Sequence, residues 1–164
     1  MGDFYNVGIA EMKVSSNSSD VIMALGLGSC VAISLFDENI GVGGMVHIML
    51  PGMAEFSNRG SALKFADSGI PLLIDAIANH GSDKASLVAK VAGGATMFTS
   101  GNDARGAKSD IGMRNLKAVR KMLSDAGIPI TGEDSGGHRG RTMKLEIAKG
   151  RTTVRSIGEE EREI

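Results

Sequence analysis

A single cysteine, no tryptophan, one tyrosine and three prolines stand against 23 glycines in this chain of 164 residues. One cysteine excludes an intrachain disulfide and fits a reducing compartment. No apolar run reaches the length that a membrane span needs. The opening Met1-Gly2-Asp3-Phe4-Tyr5-Asn6 has neither a basic segment nor an apolar stretch of the secretory kind. It also lacks Ser or Thr at position 6, so it is no myristoylation signal. Eighteen basic residues against nineteen acidic ones leave a net charge of −1, without the basic surplus that a general nucleic-acid binder needs. The expectation is a cytoplasmic protein that neither enters membranes nor binds nucleic acid. One domain should span 1–164, with a frayed charged tail at 159–164.

Glycine is what the sequence has in excess, and it gathers where the chemistry is richest. Leu25-Gly26-Leu27-Gly28-Ser29-Cys30 leads into the apolar run Val31-Ala32-Ile33-Ser34-Leu35-Phe36. The only cysteine therefore sits at the mouth of a strand, behind a backbone that a substrate can approach closely. A second apolar run, Gly44 to Leu50, carries His47. The short polar stretch Asp37-Glu38-Asn39-Ile40 between them reads as a hairpin connection. A two- or four-residue loop centred there places Cys30 directly opposite His47, with Cβ atoms roughly 4.5–5.5 Å apart. It pairs Val31 with Val46, Ile33 with Gly44 and Leu35 with Val42 on the opposite, uniformly apolar face. A thiol and an imidazole so placed form a nucleophile and its base. The imidazole would draw the thiol pKa well below the free value of about 8.5. The amides around Gly28, Ser29 and Cys30 would face a developing oxyanion.

Elsewhere, residues 4–14 read as a first strand with one irregularity, and Val21 to Leu25 as a second. Residues 52–61 read as a mobile loop beside the site. Ile70, Leu73, Ile74, Ile77 and Ala78 mark a helix, capped by Asp67 or Ser68 so that Pro71 falls in the first turn. Leu87 to Ala92 is a strand running into Gly93-Gly94, and 99–110 a small polar loop. A second helix runs from about Arg114 to Ala126, stopped by Gly127. Ile128 to Thr131 begins a strand and 132–141 is a long polar loop. Thr142 to Ile147 and Thr152 to Ile157 form a closing hairpin. Strands outnumber helices and are interleaved with them. The fold class is an α/β (α+β) sandwich of mixed sheets flanked by two main helices.

Competing uses of these residues are weaker. A structural zinc site wants about four ligands, and only Cys30 and His47 converge. Gly26 and Gly28 lack the third glycine of a dinucleotide fingerprint, and a strand follows them where a helix should. His80 suits a helix end. His138, Arg139 and Arg141 are either a solvated turn or a grip on an acidic substrate. Gly93-Gly94 and Gly136-Gly137 are turns or cleft lining.

Taken together, Leu25 to Cys30, Val46-His47-Ile48-Met49-Leu50-Pro51, Lys64-Phe65-Ala66-Asp67, Val91 to Phe98, Ile111-Gly112-Met113-Arg114-Asn115 and Glu133 to Gly137 resemble the CheD chemoreceptor glutamine deamidases. The likeness runs in order from about residue 7 to residue 157. It implies a fold related to deamidating bacterial toxins and a cysteine-dependent protein-glutamine glutaminase that acts in chemotaxis adaptation without metal or organic cofactor. Selected glutamines on the cytoplasmic domains of methyl-accepting chemotaxis receptors are converted to glutamate. The resemblance makes Cys30 the nucleophile and His47 the general base, and implies a CheC-type phosphatase as regulatory partner. One position departs from it: the family's threonine six residues before the cysteine is Ala24 here. Either a backbone carbonyl or Ser29 then orients the imidazole, or activity is weakened, or the chain is a non-catalytic module that binds receptor or CheC.

Overall fold

The computed structural model describes residues 1–97 and 110–164. Ten strands are assigned there: β1 (Phe4–Asn6), β2 (Glu11–Ser15), β3 (Val21–Leu27), β4 (Val31–Asp37), β5 (Val42–Ile48), β6 (Leu87–Gly93), β7 (Ile130–Ser135), β8 (Arg141–Glu146), β9 (Arg151–Ser156) and β10 (Arg162–Glu163). Two α-helices join them, α1 (Ala66–Ala78) and α2 (Ile111–Asp125). The strands form two five-stranded mixed sheets, ordered β1-β3-β8-β9-β10 and β2-β5-β4-β6-β7.

Alternation along β4 and β5 builds two apolar layers from one sheet. Val31, Ile33 and Leu35 of β4, with Val46 and Ile48 of β5, pack against Ile70, Leu73 and Ile77 of α1 and Leu116, Val119 and Leu123 of α2. The opposite face presents Ala32, Met45 and Ala92 to Ile22, Ala24, Leu27, Met143, Leu145 and Val154 of the other sheet. Both faces of β4 and β5 are therefore buried, which explains why these runs are mostly apolar and do not alternate with exposed polar residues. The expected α/β sandwich is present, with both helices on the outer face of one sheet.

Several local expectations shift. The irregular first strand is two strands on different sheets, and the crossing between them contains Ala10 at φ 61°. Pro71 lies inside α1. Neither expected residue caps that helix, because both side chains are engaged elsewhere. Asp67 accepts from the Met53 amide and the Ser68 hydroxyl donates to the Ala62 carbonyl. Helix α2 begins earlier than expected because Asp110 caps it, accepting from the Met113 amide at 3.1 Å. Gly132 to Ser135 form a strand where a loop was expected, because they pair in parallel with β6. The expected loop over 99–110 lies outside the described residues except for Asp110. The tail is held down where fraying was expected. β10 pairs with β9, Arg162 binds Asp134, Glu161 binds Lys144, and Lys90 donates to the Ile164 carbonyl. Its charges meet partners, so they anchor it.

Candidate functional site

The β4–β5 connection is the four residues 38–41, one residue later than expected. Asp37 decides this. Its carboxylate accepts from the Asn39 amide (2.9 Å), its carbonyl accepts from the Gly41 amide (2.9 Å), and Gly41 takes φ 65°. The register consequently pairs Ala32 with His47 and Val31 with Ile48. Cys30 is thus not opposite His47 as expected. It lies one residue before β4, diagonal to His47, at a spacing of about 7–8 Å for such neighbours. The slip is two residues, so both side chains stay on the inter-sheet face; a one-residue slip would have separated them.

His47 is 3% exposed. Its Nδ1 lies 3.0 Å from the carbonyl oxygen of Val7. A carbonyl only accepts, so Nδ1 carries the proton and donates it, and Nε2 bears the lone pair. Burial holds the imidazole below its ordinary pKa of 6.5 against the opposing pull of the Val7 carbonyl and Glu11. At neutral pH the ring is an uncharged base whose Nε2 is buried and has no hydrogen-bond partner among the described residues. The anchor on the ring is thus a backbone carbonyl. Ser29 does not bond to it, and Ala24 lies buried in the apolar layer between the sheets.

Cys30 is half-buried, and burial pushes its thiol up, partly offset by its own backbone N–H. This differs from the lowered pKa expected of a directly opposed imidazole. No Cys30–His47 hydrogen bond forms, so desolvation of the thiol outweighs the one offsetting backbone N–H. The turn that carries it is fixed through its carbonyls. Gly28 accepts from the Ala95 amide, Ser29 from the Asn115 side chain, and Cys30 from the Gly94 amide, at 2.9, 3.0 and 2.9 Å. The amides of Gly28 and Ser29 donate to no acceptor among the described residues. Gly26 supplies the φ of 64° at the bulge that interrupts the β3–β8 ladder between Ala24 and Leu27. Gly93, at φ 113°, brings β6 against the turn; a Cβ there would stand 2.2 Å from the Cys30 carbonyl oxygen.

The glycine pairs that the sequence left between turn and cleft lining stitch strand ends together at this place. The Gly136 amide donates to Gly93 and the Thr96 amide to Gly137. Arg141 is buried at 5% exposure and committed to Asp134, Gly136 and Arg139, and Arg139 itself pairs with Glu159. These arginines therefore grip the protein's own acids and carbonyls. His80 accompanies the end of α1, bonding the Ala76 carbonyl, and His138 bonds the Thr96 carbonyl. No three His, Cys, Asp or Glu side chains gather into a metal-binding group among the described residues. Asn115 and the Val7 carbonyl are contributors that residue-by-residue reading missed. The first sat inside a quoted motif without a role; the second is backbone and carries no sequence signal.

Comparison with known proteins identifies the family. The family model described as CheD chemotactic sensory transduction matches residues 49–156. A protein of Desulforamulus reducens named as a probable chemoreceptor glutamine deamidase CheD is 50% identical over 152 residues, covering 93% of this chain and 90% of that one. Proteins of the same name from Clostridium tetani and Moorella thermoacetica are 43% and 45% identical, covering 94% and 93% of this chain and 92% and 90% of their own. The matched segment is most of the chain, and the relatives align along nearly their whole length. The chain belongs to the CheD family.

Proposed function

We propose that this protein hydrolyses glutamine side chains of chemoreceptor cytoplasmic domains to glutamate, with Cys30 as nucleophile and His47 as general base. The observation that carries the reading is the imidazole: Nδ1–H is held by the Val7 carbonyl, and a free Nε2 lone pair lies on the face that Cys30 shares. In this reading Sγ of Cys30 closes on Nε2 for the reaction. Nε2 takes the thiol proton as sulfur attacks the carboxamide carbon, and the oxyanion meets the free amides of Gly28 and Ser29. The imidazolium returns the proton to the departing nitrogen, and ammonia leaves a thioester. Nε2 then deprotonates a water that attacks this acyl carbon. Sulfur leaves and is reprotonated, releasing glutamate. The chemistry is complete with the protein's own groups and water. The relatives' names supply the substrate class. Action in the cytoplasm, with a CheC-type phosphatase as regulator, belongs to the same reading.

Two observations favour a second reading, a module that binds receptor or CheC without turnover: Ala24 stands where the family's threonine is expected, and the resting thiol is pushed up rather than activated. Ammonia release and product mass spectrometry with a chemoreceptor cytoplasmic fragment separate the two. Deamidation by the wild type that disappears in Cys30→Ala and in His47→Ala supports the enzyme. A fragment that binds and keeps its glutamines supports the module.

A further inference from the structure

The ladder between β4 and β5 stops short of the nucleophile. Beyond the Val31–Ile48 pair, the Met49 amide turns away to the Lys64 carbonyl at 2.8 Å, so no strand bond crosses at the level of Cys30. A side chain fills that place. Asn115, the fifth residue of α2, is 0% exposed, and its Nδ2 donates to the Ser29 carbonyl (3.0 Å) and to the Met49 carbonyl (2.9 Å). Both acceptors are carbonyls, so the amide orientation is unambiguous and both N–H groups are used. Its Oδ1 is buried and has no partner among the described residues. That is a standing cost which an apolar residue would not carry.

The two acceptors are informative. The Ser29 carbonyl and the Cys30 N–H belong to one planar peptide, so a bond to the first fixes the plane that launches the Cys30 side chain. Met49 lies two residues beyond His47, directly after the end of β5. One carboxamide therefore ties the turn that bears the thiol to the strand that bears the base, where the sheet itself provides no tie. Resting on the catalytic reading above, we propose that Asn115 is a positioning residue: it holds the Cys30 turn in register with His47 and acts on the reaction only through them.

Asn115→Ala and Asn115→Asp test this beside Val119→Ala, an equally buried change on α2 that bonds neither carbonyl. Three properties are measured on each purified protein: thermal melting, kcat and KM for deamidation of a chemoreceptor fragment, and the pH profile of Cys30 alkylation by iodoacetamide. Both Asn115 variants should lose ~10–100-fold in kcat with KM within about twofold, the range expected when reacting groups are slightly displaced. Asp should lose more than Ala, because its carboxylate faces two carbonyl oxygens. The alkylation midpoint should fall towards that of a free thiol as the turn loosens, while Val119→Ala keeps the wild-type kcat and midpoint. Asn115 variants that match Val119→Ala in kcat and midpoint overturn the proposal, whatever their melting temperatures. If the wild type does not deamidate, the catalytic reading fails. The alkylation profile then decides positioning alone: a midpoint that moves only in the Asn115 variants supports it, and an unmoved one refutes it.

Discussion

Two buried cationic-type side chains flank the same end of the sandwich and are treated in opposite ways. Arg141, 5% exposed, spends its guanidinium on the Asp134 carboxylate and on the carbonyls of Asp134, Gly136 and Arg139, leaving only Nε alone. His47, 3% exposed, makes one bond, to Val7, and keeps its other nitrogen free. A nearly saturated polar side chain holds a loop in place. A half-satisfied one, on the face that a thiol shares, retains the capacity to take a proton. On the proposed reading the contrast gives stability to the Asp134–Arg141 loop and chemistry to the β4–β5 mouth.

The largest effect should come from crossing these assignments. Cys30→Ala should lower turnover at least ~10³-fold, as loss of a nucleophile does, while the melting temperature moves only a few degrees. Arg141→Ala should do the reverse. Breaking a buried ion pair costs ~3 kcal/mol, or about 10 °C of melting temperature for a chain of this size, with kcat per folded molecule within about twofold. Thermal melts paired with active-site-normalised kinetics read both. An Arg141→Ala protein that melts normally but does not turn over would erase the distinction.

Acidity sharpens the contrast further. His47 is held below 6.5 by burial, so it stays a neutral base down to a pH below that of a free imidazole. Below its own pKa, kcat/KM should fall ~tenfold per pH unit as Nε2 is protonated. Glu11, the cross-strand neighbour, pulls the value the other way, so Glu11→Gln should move the acid limb to lower pH. Stability follows the same sign. The unfolded chain takes up the His47 proton first, so the folded state loses stability as pH falls through 6.5, and the loss levels off below the folded pKa. Cys30, pushed up, makes the mirror contribution, losing stability as pH rises through the value of a free thiol. Urea titrations at several pH values should show the slope just below pH 6.5 reduced in His47→Phe, leaving the further loss at lower pH that the lowered carboxylates of Asp20, Glu133 and Glu161 contribute.

Much of this was legible in the sequence, and the failures have physical causes. The glycine-rich turn, the two apolar strands and their shared face followed from period-two patterning and turn chemistry. The register did not, because Asp37 and Gly41 build a turn one residue later than the polar centre of the loop suggests. Gly132 to Ser135 look like loop by composition, yet pair with β6 at the sheet edge through backbone groups that no side chain advertises. The charged tail looked frayed because its partners, Lys144, Arg139 and Asp134, are far away in sequence. The imidazole's anchor lay forty residues from His47 and is a main-chain oxygen.

That anchor makes the smallest predicted effect the most discriminating one. If the Val7 carbonyl already fixes the tautomer of His47, the family's threonine at position 24 has nothing left to supply. Ala24 is fully buried in the apolar layer between the sheets. A hydroxyl introduced there must bond something or remain a buried cost of about 1–3 kcal/mol. Ala24→Thr should therefore lower the melting temperature by a few degrees and change kcat by less than about threefold. A gain in kcat of tenfold or more, with the acid limb of kcat/KM moving to higher pH, would mean that the hydroxyl accepts from Nδ1–H better than the Val7 carbonyl does. The backbone anchor would then be an incomplete substitute for the side chain that this copy lacks.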